Sequence, residues 1–280
     1  ESVKSDWGSV LVANEYAAEA KLDGTRGGVP HAYDFMAYAY LQMGQDVKAR
    51  GLIGDTMAIK KVIGVPLAGA TARASVPARY MLERQDWQGA AQLQPIGTGF
   101  PMAEAITYFA RAMGGARSGN TAAAQADIEK LKEQRTALEK AGQGYWAGQV
   151  EIQILGAQAW TAQAQGNKSE AIKLMRSAAE LEDASEKHVA MENRLYPMRE
   201  LLADMLMVQG ESVAALKEYE TSLKNAPMRL RGFYGAAKAA EFSGDKKKAR
   251  EYFEKLAKLT RNADGDRSEL REMKQRLASK

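Results

Sequence analysis

Two histidines, one pair of carboxylates a helical turn apart and a scatter of aromatic and arginine side chains are the residues of this chain that could do chemistry. A metal site would need imidazoles and carboxylates at helical spacing, and neither His31 nor His188 stands in an HxxxH or HxxE arrangement. His31 follows Pro30 at a helix start. His188 lies near Glu182, Asp183 and Glu186, where a capping or inter-helix hydrogen bond is the simpler role. Glu200 and Asp204 sit at i, i+4 and so share a helical face, the geometry a general acid and base would need. Such pairs are more often solvated, or matched by Arg or Lys on a neighbouring helix. The sequence has no cysteine, which excludes thiolate nucleophiles, thiolate metal sites and disulfides. Gly97-Thr98-Gly99 is no phosphate cradle, because no GK[ST] follows. No cofactor is expected, and no residue is assigned to catalysis or to a metal.

These residues must be positioned by helices. Pro is scarce, at 7 in 280 residues, and Ala, Leu, Met, Gln, Glu and Lys dominate over β-branched residues. The last third shows how the helices are arranged. Laying Leu201–Pro227 over Phe233–Arg261 puts Gly210 on Gly244, Ala215 on Ala249 and Tyr219 on Phe253, at a period of 34 residues. Small residues let paired helices approach closely, the glycine supplies a left-handed turn between them, and the aromatic fills the gap to the next pair.

The same turn recurs near 44, 85, 119 and 166. The expected fold is therefore all-α: a right-handed superhelix (α-solenoid) of antiparallel helix pairs, about six repeats plus a C-terminal capping helix. It forms a single domain over 1–280. Residues 6–21 are a leftover helix of a truncated repeat. Helix pairs occupy 31–61, 72–93, 102–140, 145–182, 197–225 and 230–260, and residues 266–279 form the cap. Asn167 with Glu170, and Asp266 with Glu269, have capping-box spacing, and the last helix reads as a solvating one. An insertion at 185–197 lengthens one spacing.

In such an array the first helix of each pair lines the inner groove. Register then places Tyr38, Arg79, Met113, Trp160, Asp204, Tyr234 and Lys238 at partner-facing positions. Net charge is +4, and Lys224–Lys280 holds 16 Lys and Arg against 8 Asp and Glu. The acids are interleaved, so this reads as a solvated helical surface and nucleic acid is not an expected partner. The longest apolar run, Val62–Ala72, is too short and broken to span a bilayer.

The 34-residue register resembles the tetratricopeptide-repeat superfamily over nearly the whole chain. The phrases PHAYDFMAYAYLQMGQD, PARYMLERQDW, YWAGQVEIQ, ELEDASEKH and RELLADML resemble a group of largely uncharacterised bacterial proteins of that kind. The resemblance implies a helical scaffold without an assigned reaction. A peptide-binding subgroup grips a terminal carboxylate through Lys and Asn. Tyr38, Arg79, Trp160 and Lys238 stand at those positions here, so that clamp is not expected.

The functional expectation is a non-catalytic protein–protein interaction scaffold holding a peptide or protein partner in its concave groove. The alternative is a helical-repeat enzyme or enzyme subunit using Glu200, Asp204 and His188, and RNA binding by the basic end is a weaker idea. An exposed N-terminal repeat edge would offer a surface for self-association. The chain begins at Glu1 rather than Met, so a segment carrying any export signal would lie upstream, and bacterial cytoplasm and periplasm both stay open.

Overall fold

The structure, a computed structural model, describes residues 2–186 and 194–278. Its helices are α1 (Ser2–Glu19), α2 (Gly28–Gln42), α3 (Asp46–Ala58), α4 (Pro66–Glu83), α5 (Trp87–Ala91), α6 (Pro101–Arg117) and α7 (Thr121–Lys140). They continue as α8 (Gly144–Ala164), α9 (Lys168–Asp183), α10 (Met198–Val208), α11 (Ser212–Asn225), α12 (Leu230–Phe242), α13 (Lys246–Leu259) and α14 (Ser268–Ala278). Among the described residues the fold is all-α apart from a two-residue parallel bridge, β1 (Thr25–Arg26) on β2 (Val62–Ile63), which ties the loops before α2 and α4 together.

Successive helices pair antiparallel, as α2 with α3 through α12 with α13, and the chain is a helical-repeat protein. Within the helix pairs, the turns carry a glycine in the left-handed region at Gly44, Gly119, Gly166, Gly210 and Gly244, with Gln85 in that role between α4 and α5, and Gly142 does the same between α7 and α8. At the last turn, Gly244 lets the Asp245 N–H reach back to Ala240 O at 2.9 Å, closing the end of α12. Asp245 then accepts from the Lys248 N–H at 3.0 Å and opens α13, and Asp86 and Asn120 do the same for α5 and α7. One short segment therefore ends one helix and starts the next.

Small residues set the spacing between helices. A Cβ on Gly114 would stand 2.4 Å from the Ala91 backbone nitrogen, and one on Gly235 would stand 2.3 Å from the Tyr219 ring. The main core runs from Ala74 to Ala239 through α4 to α12, with Phe109, Met113, Ile128, Met175, Leu202 and Met205 fully enclosed. Two smaller clusters lie around α1–α3 and around α12–α14.

Several sequence expectations are corrected here. The first helix of the 72–93 pair starts earlier, at Pro66, and its short second helix ends at Ala91, before an extended segment with Pro95 and Gly97. Asn167 makes no side-chain cap, so the capping box at α9 does not form. Asp266 does not cap α14 either. That helix begins at Ser268, and Glu269 is buried against Arg231. With Leu270 and Met273 also buried, α14 is a packed element and not a solvated finish.

Candidate functional site: the inner face and its closure

The inner helices carry an unusual load of buried charge. Arg229, which precedes α12, is completely enclosed. Its Nε and Nη2 donate to the two oxygens of Glu200 on α10, at 2.7 and 2.9 Å. Its Nη1 lies 2.8 Å from Glu83 on α4, close enough for an ion pair though off the hydrogen-bonding direction. Burial raises the Glu200 pKa, against the pull of Arg229. Two carboxylates on one guanidinium in a dry interior are stable only as a set, since removing any member strands a charge.

A second centre surrounds Asp204, whose carboxylate accepts from the Tyr219 hydroxyl at 2.5 Å and the Tyr196 hydroxyl at 3.1 Å. Burial, with Asp204 alongside, pushes both phenols well above their ordinary value, so they stay protonated donors. Beside them Arg117 lies between two indole faces, 4.5 Å from the Trp87 ring and 3.9 Å from the Trp160 ring. Burial lowers the Arg117 pKa, and Asp204 opposes that shift.

The third centre joins regions far apart in sequence. Arg267, just before α14, donates to both oxygens of Asp46 at the start of α3. Its Nη1 and Nη2 also donate to the carbonyls of Glu83 and Leu41, at 3.2 and 3.3 Å. Arg84 pairs with Asp46 from the other side. Asp264 accepts from the backbone N–H groups of Val47 and Lys48, so α3 receives its N-terminal cap from 217 residues further along the chain. Gln45 donates to Asn262 O, the Asp264 N–H donates to Gly44 O, and the Leu230 N–H donates to the Gln42 side chain. The region from α12 to α14 is thereby fastened onto α2, α3 and α4, and the array closes on itself.

Closure decides where the seven groove positions fall. Met113 is in the core, Trp160 is stacked on Arg117, and Asp204 is held by the two tyrosines. Arg79 is buried, pairing with Asp34 at 3.4 Å and donating to Arg194 O at 3.2 Å. Tyr38 is half-buried, its ring 5.5 Å from the Arg79 guanidinium carbon and 6.0 Å from that of Arg229. Tyr234 and Lys238 are also half-buried, but both reach Glu272 of α14, at 2.5 and 2.6 Å. As placed, these seven do not form an open groove floor. Four are buried, and Tyr234 and Lys238 hold the last repeat to its cap. Register alone misses this because it treats the concave side of a solenoid as solvent.

Of the catalytic alternative, Glu200 and Asp204 have both carboxylates bonded internally, and His188 lies outside the described residues. Among the described residues no cluster of His, Cys, Asp and Glu could hold a metal ion, and no helix is long and apolar enough to cross a membrane. A residue that sequence reading missed is Glu182 of α9. It is enclosed, accepts from the Met198 N–H at 2.8 Å and faces Arg194 at 3.7 Å, and burial pushes its pKa up to about 7.

No family model matches this sequence, and no curated protein matches it significantly. Among solved structures, the chain is similar to the nearly identical TPR-like repeats described for a Podosopora anserina kinesin light chain, at 13% identity and a TM-score of 0.38. That match covers 79% of this chain and 96% of the other, and a single-substitution form of the same repeats matches with the same identity and score.

Proposed function

We propose that this chain is a non-catalytic protein–protein interaction scaffold that holds a peptide or protein partner. The observation that carries the reading is the division of its surface. Charged groups of the inner face are bonded to one another and to the closing contacts, whereas Leu11, Val12 and Tyr16 stand in solvent together on the outward face of α1. An outward apolar face of this kind is a surface for another protein, a second copy of the chain included. A partner entering the groove at Tyr234 and Lys238 would first have to displace α14.

The test is partner capture by the purified chain with crosslinks mapped by mass spectrometry. The comparison variants are Leu11→Asp and Tyr16→Asp, both at exposed positions. Partners crosslinked to α1 in the wild type and lost in both variants support the scaffold reading. An unchanged partner set removes the α1 face from it.

The catalytic reading on Glu200, Asp204 and His188 has less support, because a general base needs a free lone pair directed at a cleft. Glu200 spends its oxygens on Arg229, and Asp204 spends its own on two phenols.

A further inference from the structure

Where the array closes, a cavity of about 570 Å³ opens to the outside between the two fastened regions. Met43, at the end of α2, forms one wall. Met228, Phe233 and Leu259 complete an apolar floor, and Lys255, Lys258, Arg261 and Asn262 stand around it. Met228 is 55% exposed and holds a left-handed backbone, φ 63°, that a non-glycine residue adopts only under constraint from its neighbours. Methionines of this kind give an adaptable apolar surface.

The rim is cationic, and Lys255 also lies 4.8 Å from the centroid of the Tyr252 ring. Lys255, Lys258 and Arg261 are exposed and make no ion pair among the described residues, whereas Lys248 and Arg250 on the same helix are matched by Glu220 and Glu254. Lys255 and Lys258 are about 4.5 Å apart along the helix axis at 1.5 Å per residue, and Arg261 lies beyond the helix end. One carboxylate cannot satisfy three cations spread in this way, but a peptide bearing several can.

We infer that this cavity is a docking site for an acidic peptide segment carrying apolar side chains, and that it exists only while the array is closed. The inference rests on the scaffold reading but places this contact away from both the groove and the α1 face. The apolar side chains would sit on Met43, Met228 and Phe233, with Asp or Glu beside Lys255, Lys258 and Arg261. Because Met43 comes from the N-terminal side and the remaining lining residues from the C-terminal side, an occupant bridges the closure. Contacts at Asp264 and Arg267, which do not touch the floor, must then influence binding.

The experiment measures binding of a short fluorescent peptide alternating Glu with Leu and Phe. Controls are the same peptide with Lys for Glu, the same with Ser for Leu and Phe, and dodecanoate as a competitor without a peptide backbone. The acidic apolar peptide is expected to bind, with both control peptides at least about tenfold weaker, equivalent to about 1.4 kcal/mol. Met228→Asp and the double variant Lys255→Glu/Lys258→Glu, all at exposed positions, should each weaken it by a similar factor. Asp264→Ala, exposed and outside the cavity, should weaken it as well. Circular dichroism confirms that each variant is folded.

The inference is overturned if the wild type ignores the peptide, if the Lys peptide binds equally well, or if Met228→Asp binds unchanged. Displacement of the peptide by dodecanoate at equal concentration would mark a site for amphiphiles and would also reject it. Unchanged binding by Asp264→Ala rejects the dependence on closure. Loss of the peptide site with α1-dependent partner capture intact rejects this cavity alone and leaves the scaffold reading standing.

Discussion

At the scale of single residues, the inner face is governed by charges that have no water to fall back on. Glu200→Ala leaves Arg229 enclosed with only Glu83 opposite, and is expected to cost about 3–5 kcal/mol in urea unfolding. A loss below 1 kcal/mol would mean that the site is wet. Glu182 acts with the opposite sign to an ordinary salt-bridged acid. Its pKa is raised from 4.5 to about 7, so folding favours the protonated form. That contribution is fully present below pH 4.5 and is lost as the pH rises through about 7. The wild type is therefore expected to lose stability over that window relative to Glu182→Gln, and parallel melting profiles for the two proteins would contradict it. The sequence offered little of this. Glu200 and Asp204 at i, i+4 marked a shared face, but the guanidinium and the two phenols that occupy them come from elsewhere in the fold. Nothing local to Glu182 distinguishes it from the exposed acids around it.

At the scale of elements, the chain announces its helices and turns plainly. Glycine at 44, 119, 166, 210 and 244 and the Asp or Asn caps after three of the turns are local signals, and each acts within a few residues of where it is written. The signals that failed had rivals. Asn167 has the composition of a capping box without its hydrogen bond, and Glu269 has capping spacing but serves Arg231 instead. Helix spacing provides a direct test. Gly114 faces backbone atoms of α5, which cannot swing aside as a side chain could. Gly114→Ala is thus expected to destabilise by about 1–3 kcal/mol despite the better helix propensity of alanine. A gain in melting temperature would show that α5 packs more loosely against α6 than the structure has it.

At the scale of the whole molecule, the defining feature is that the array closes. The backbone, cap and Arg267 contacts of that closure join residues separated by more than 180 positions, such as Gln42 with Leu230 and Asp46 with Arg267. No periodicity or composition window reaches so far, which is why the inner positions read as an open groove. The closing contacts are also polar, unlike the apolar packing between neighbouring pairs, and so depend more strongly on single partners. Asp264 stands in for the missing cap of α3, and Asp264→Ala is expected to cost about 1 kcal/mol and to loosen the two regions. The absence of cysteine makes the direct measurement simple, because spin labels attach only where cysteines are introduced. With labels at exposed positions 50 and 261, double electron–electron resonance should give one short, narrow distance in the otherwise wild-type chain. Adding Asp264→Ala should broaden it toward longer values. A broad, long distance distribution in the labelled wild type would contradict the closed array.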